Sequence, residues 1–224
     1  MPAVIFDLDG TLVDSYAAHF QAWTALAADL GHALQEAEFQ KQFGRKNEPI
    51  LEELHGWVGL PSPDEATMAT LATVKEERFR SIIGPSFPEM DGASQLIGSL
   101  RDAGWRVAVG SSAPRVNIDF CLANFQAAGV TFDAVACGCD VKHGKPAPDV
   151  FLLAAERLSV PADQCVVVED AAPGVEAANR AGMTSVGLCS MGRTREELAA
   201  ADLVVGTLRE LNPTCLDALR MQQA

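Results

Sequence analysis

A chain of 224 residues with a formal net charge of −13 would meet nucleic acid with a repulsive long-range field, and no Lys/Arg cluster offsets it, so a polyanion-binding surface is excluded. With 48% hydrophobic and 21% charged residues the composition is that of an ordinary globular protein, large enough to bury a core without staples as one domain or a domain with an insertion. The start "MPAVIFDLDG" has no basic or long apolar leader, and nowhere do about 18 apolar residues run together, so a cytoplasmic protein without membrane or nucleic-acid partners is expected, a monomer or weak homo-oligomer.

In chain order, the first run "AVIFDLD" reads as a buried strand that ends in Asp7-Leu8-Asp9 and a Gly-Thr turn. Residues 16–84 then read as helices without a strand. "YAAHFQAWTALAADLG" sets Phe20, Trp23, Ala27 and Leu30 on one stripe, and "EAEFQKQFG", "NEPILEELHGWVG" and "DEATMATLATVKEERFRSII" continue the helical period. From "GPSFPEMDG" onwards, apolar strand runs ("RVAVGSS", "AVACG", "CVVVED", "TSVGLC", "DLVV") alternate with helical stretches; one places Leu96, Ile97 and Leu100 at helical intervals and closes on Gly104. Unbroken apolar runs suit strands covered on both faces. The expected fold is therefore α/β: a doubly wound, Rossmann-like parallel sheet formed by residues 1–15 and 85–224, carrying an inserted α-helical domain at 16–84. The crossings at Val13 to Tyr16 and Gly84 to Pro88 are expected hinges, and the terminal "MQQA" is expected to be disordered.

In such sheets ligands sit beyond the carboxyl ends of the strands. Those ends and turns carry Asp7 and Asp9, Gly110-Ser111-Ser112, Gly144-Lys145-Pro146 and Glu169-Asp170. Converging carboxylates suit a hard cation such as Mg2+. A Lys and a Ser beside it suit the oxygens of a transferring phosphoryl group. One carboxylate can act as nucleophile and the other as general acid and base. The cysteines, Cys121, Cys137, Cys139, Cys165, Cys189 and Cys215, lie in apolar segments and read as small core residues rather than a disulfide framework. Cys137-x-Cys139 with His143 lacks the second ligand pair of a zinc site.

"DLDGTLVD", the Ser of "VAVGSS", the Lys of "HGKPAPD" and "VVVEDAAPG" together resemble the signature motifs of the haloacid dehalogenase-like hydrolases, in order over nearly the whole chain. The resemblance implies Asp7 as nucleophile, Asp9 as general acid/base, and Ser111 and Lys145 as phosphoryl stabilisers. It implies Mg2+ held by Asp7, Asp170 and the backbone carbonyl of Asp9, with Glu169 in support. The helical insert resembles the cap of one branch. "HF-AW", "KPAPD" and "ED" are most similar to the β-phosphoglucomutase-like and sugar phosphatase group, which implies His19, Trp23, Arg45 and Ser112 as substrate-binding residues.

The expected function is a Mg2+-dependent phosphatase acting on a small phosphorylated metabolite, a sugar phosphate foremost. A mutase-type phosphotransferase is the alternative. Its second motif would continue Ser-Ala-Ser-Lys, whereas Ser111-Ser112-Ala113-Pro114 stands here, leaving only Arg115 to contact a second phosphate. A 2-haloacid dehalogenase or a phospho-accepting receiver module fits less well, the first leaving Asp9 and Asp170 idle and the second having no need of the helices. Blander roles exist for the same residues: Ser111 and Ser112 capping the helix after them, Trp23 packing, and Arg45 offsetting helix-terminal carbonyls.

Overall fold

Short runs of Val, Ile and Ala closed by Gly, Asp or Ser give strands; longer Ala- and Leu-rich runs give helices. In the computed structural model, which describes residues 1–84 and 87–222, β1 (Ala3–Phe6) is followed by α1 (Tyr16–Asp29), α2 (Glu36–Gln40), α3 (Asn47–Trp57) and α4 (Glu65–Ile83). Strand and helix then alternate: α5 (Ala93–Asp102), β2 (Arg106–Gly110), α6 (Arg115–Ala127), β3 (Ala134–Ala136), α7 (Asp149–Leu158), β4 (Cys165–Glu169), α8 (Ala172–Arg180), β5 (Thr184–Leu188), β6 (Leu203–Val205) and α9 (Pro213–Met221).

The strands pair in parallel in the order β3-β2-β1-β4-β5-β6. β1, β4 and β5 are buried at every residue, which is why their sequences do not alternate. On one face Ala3 and Ile5 of β1 join Val150, Phe151 and Ala154 of α7 and Ala177 and Ala178 of α8 in a single apolar cluster. A side chain the size of Ile or Phe contributes roughly 1.5–3 kcal/mol when fully buried. The strand order reverses at β1, where Phe6 pairs with Val109 on one side and Val168 on the other. Asp7, Gly110 and Glu169 therefore leave the sheet side by side, at the kind of switch point where open α/β sheets bind ligands.

The chain divides into two compact units, Met1–Asp14 with Glu89–Ala224, and Ser15–Pro88. The second unit contains α1 to α4. Its α1 buries Ala18, His19, Ala22, Trp23, Leu26 and Ala27, which corrects the expected stripe, because Phe20 and Leu30 are only half-buried. The alanines let α1 lie against α4, while the Phe20 ring turns towards Phe39, 5.3 Å away between centroids. Of the expected crossing at Gly84 to Pro88, Pro85 and Ser86 lie outside the described residues, as do Gln223 and Ala224 of the terminal "MQQA". Among the described residues no helix is long and apolar enough to cross a membrane.

The cysteine expectation needs correction. Cys121 and Cys165 are buried thiols and Cys189 and Cys215 are half-buried, but Cys137 and Cys139 form a disulfide. The 3-10 turn Gly138–Asp140 that follows β3 brings their Cα atoms to 5.3 Å, within the range a disulfide spans.

Candidate active site

The loop after β1 is wound tightly. Asp7 N–H continues the ladder to Val168 O at 3.0 Å, and Leu8 O accepts from Leu12 N at 2.9 Å and Val13 N at 3.0 Å. Gly10 makes the turn possible at φ +81°, and a Cβ there would stand 2.4 Å from Asp170 Oδ2. Any other residue would be strained in backbone and would strike a carboxylate. Asp7 is thereby held next to Asp170, while Asp9 lies half-buried in the loop itself.

Lys145 organises the centre. Its Nζ donates to Asp7 Oδ1 at 2.5 Å and to Glu169 Oε1 at 2.7 Å, above the Phe151 ring. Glu169 Oε2 accepts from Ala171 N at 2.6 Å. Its carboxylate lies across Gly174, where a Cβ would fall 1.8 Å from Oε1, so the Gly of "EDAAPG" is required by close approach. Asp170 Oδ2 accepts from Ser190 Oγ at 3.3 Å and Arg193 Nε at 3.5 Å.

Asp7, Glu169, Asp170 and Lys145 are all nearly excluded from solvent. Burial, assisted by Glu169 and Asp170 and opposed by Lys145, holds the Asp7 carboxyl well above its ordinary range. Burial and then Glu169 push Asp170 up to about 7, against the pull of Arg193 and Lys145. For Lys145, burial works against the charge, but Asp7 and Glu169 outweigh it and the ammonium is held above its usual range. These carboxylates are thus short of positive charge.

The donor chemistry fits a hard divalent cation. Ligand oxygens of Asp7, Glu169 and Asp170 lie within 4.8 Å of one another, all buried. Both Glu169 oxygens are engaged, whereas among the described residues no hydrogen bond reaches Asp7 Oδ2 or Asp170 Oδ1. Asp7 and Asp170 therefore keep an oxygen each for a cation, and Glu169 acts by holding Lys145 and the loop.

Ser111, buried at the exit of β2, receives Ala113 N on its Oγ at 3.1 Å and donates its own N–H to Ala136 O at 3.1 Å. This corrects the capping expectation. Helix α6 begins after Pro114 with no side-chain cap, so neither Ser111 nor Ser112 caps it, and Ser111 Oγ instead accepts from Ala113 N in the preceding turn. Arg115 is occupied on the surface by Asp119, with Nε to Oδ1 at 2.7 Å. Ser190 and Arg193 were absent from the sequence expectation. Both follow the end of β5, next to β4, where residues at a strand exit face the ligand crevice of an open α/β sheet.

The residues expected from the helical insert do not form one cluster. His19 is buried, stacked on Phe79 at 3.9 Å between centroids, with its Nδ1 2.8 Å from Lys75 Nζ. Trp23 is buried too, with Lys75 Nζ over its ring at 5.2 Å. Arg45 lies on the surface after Gly44, paired with Glu53 at 2.9 Å and bonded to Gln42.

A family model described as a haloacid dehalogenase-like hydrolase matches residues 1–182. Fructose-1-phosphate phosphatase YqaB of Escherichia coli (strain K12) is 35% identical over 186 residues, covering 82% of this chain and 94% of that protein. Protein SUPPRESSOR OF QUENCHING 1, chloroplastic, of Arabidopsis thaliana is 34% identical over 193 residues, 82% of this chain but only 17% of its own length. Among solved structures, β-phosphoglucomutase from Clostridium difficile superposes with a TM-score of 0.87 at 25% identity, over 99% of this chain and 98% of that one.

Proposed function

The chain belongs to the haloacid dehalogenase-like hydrolases and is a phosphoric monoester hydrolase, and from that premise we propose that it is a Mg2+-dependent phosphatase for a small sugar phosphate, working through an aspartyl-phosphate. The observation that carries this reading is the buried Asp7 carboxylate, tied to Lys145 and crowded by Glu169 and Asp170. In that setting a nucleophilic oxygen, a cation site and a fixed ammonium lie together.

In the proposed reaction a free Asp7 oxygen attacks phosphorus in line, and the bond to the sugar oxygen breaks as Asp9 supplies a proton to it. Lys145 and Ser111 hold phosphoryl oxygens. Asp9 then takes a proton from water, which attacks phosphorus and releases phosphate from Asp7. Mg2+, when bound by Asp7, Asp170 and the Asp9 carbonyl, would offset the negative charge gathered there and orient the phosphoryl group. The helical unit is proposed as the specificity cap. Arg45 is its candidate phosphate fork in exchange for Glu53, His19 a positioning group, and Trp23 chiefly packing.

The mutase alternative asks for a second phosphate contact beside Ser112, and Arg115, committed to Asp119, offers a poor one. The test is phosphate release across sugar phosphates and short phospho-acids, with Mg2+ and with chelator, adding a bisphosphate primer for hexose 1-phosphates. Mg2+-dependent release from a sugar phosphate is expected. Full turnover in chelator, or isomer formation without release, overturns the proposal.

A further inference from the structure

We propose that Cys137 and Cys139 are a redox site, open to exchange with a dithiol reductant, whose state tunes the Ser111 loop. The inference rests on the reading of Ser111 given above. Cys137-Gly138-Cys139 is closed by its disulfide at the end of β3, where the backbone is already joined to that loop. Ser111 N–H donates to Ala136 O at 3.1 Å, immediately before the pair. Gly138 N–H points back to Ala113 O at 3.4 Å. Gly138 also packs so closely on Ser112 that a Cβ would fall 2.4 Å from its carbonyl oxygen. The disulfide thus fixes a residue that contacts both Ser112 and Ala113 of the loop.

Access is asymmetric. Cys137 is buried and Cys139 exposed, so an incoming thiolate attacks Cys139 Sγ, forming a mixed disulfide while Cys137 leaves as thiolate and takes a proton. The reductant's second thiolate then attacks its own sulfur in the mixed disulfide and releases Cys139 as a thiol. Two electrons and two protons have passed to the protein, and the reductant leaves as a disulfide. The turn does not collapse, because Asp140 accepts from Cys137 N at 3.0 Å and pairs with Arg157 at 2.7 Å. Reduction therefore loosens Gly138 rather than unfolding it. A roughly tenfold fall in kcat is expected, short of the about 100-fold that a 1 Å misplacement of a catalytic group can cost.

The test uses the full chain, air-oxidised and then treated with excess dithiothreitol. Alkylation and peptide mass mapping read the thiols of Cys137 and Cys139, amide exchange reads residues 111–113, and phosphate release reads function. Expected are blocked thiols that open on reduction, faster exchange at 111–113, and lower kcat, all reversed on reoxidation. Cys139→Ser should hold the reduced behaviour and ignore the reductant. Thiols already free in the oxidised protein, or exchange at 111–113 indifferent to redox state, would overturn the inference. Exchange that responds in a protein releasing no phosphate would instead sink the phosphatase reading while leaving the redox site standing.

Discussion

Two buried polar clusters invite comparison, one in each unit. In the helical unit Lys75 donates to Glu76 at 2.9 Å and lies 2.8 Å from His19 Nδ1, while Asn47 completes Glu76 at 2.7 Å. Burial tends to raise the Glu76 carboxyl, but Lys75, His19 and Asn47 win and it is held below its usual range. At the carboxyl ends of the central strands β1 and β4 buried acids and a lysine give the opposite result, because Asp7, Glu169 and Asp170 outnumber Lys145 and the more distant Arg193, and two of the acids are held high. A buried charge cluster that balances itself is architecture; one left short of its counter-charge is waiting for a ligand.

The sharpest break of this contrast is Asp7→Asn. It removes the proposed nucleophile while keeping the shape and a partner for Lys145, so phosphate release should fall by more than about 1,000-fold, with the melting temperature of the Mg2+-free protein no lower than wild type. Retained turnover would show that the crowded carboxylate is not the attacking group.

Much of that contrast was legible from residue order. The unbroken apolar runs gave the strands, their exits gave Asp7, Ser111, Glu169 and Asp170, a later turn gave Lys145, and the sheet order then brought Asp7 beside Glu169 through the pairing of Phe6 with Val168. What stayed hidden depends on contacts distant in sequence. Lys75 meets His19 across fifty-six positions, and a lysine in a helix rich in charge reads as solvated until packing buries it. The Cys137–Cys139 disulfide was missed for the opposite reason, since a spacing this local is decided by the 3-10 turn at Gly138–Asp140, a geometry that composition does not report.

Asp170 gives the next largest effect, and its sign is set by the folded value of about 7 against the ordinary 3.8. As pH rises from 4 to 7 the unfolded chain ionises first, so the wild-type fold loses stability over that window; above 7 both states are ionised and the loss is constant. Without divalent cation, Asp170→Asn should therefore melt higher than wild type by an amount that opens between those pH values and levels off on the order of 10 °C. Saturating Mg2+ should raise only the wild type, by about 2.7 kcal/mol at a hundredfold excess over Kd. A difference between the two proteins that ignores pH and Mg2+ alike would remove the charge deficit from the argument.

The smallest effect separates the clusters from the other side. Glu76→Gln keeps the bond from Asn47 and the shape of the pocket but leaves the buried Lys75 without its counter-charge. A loss of about 2 kcal/mol is expected from the charged hydrogen bond alone. Because that cluster is balanced internally, the Mg2+-induced rise in melting temperature should be the same in Glu76→Gln as in the wild type. If the substitution instead weakened that rise while leaving stability unchanged, the helical cluster would belong to the ligand's electrostatics, and the division between a closed cluster and an open one would fail.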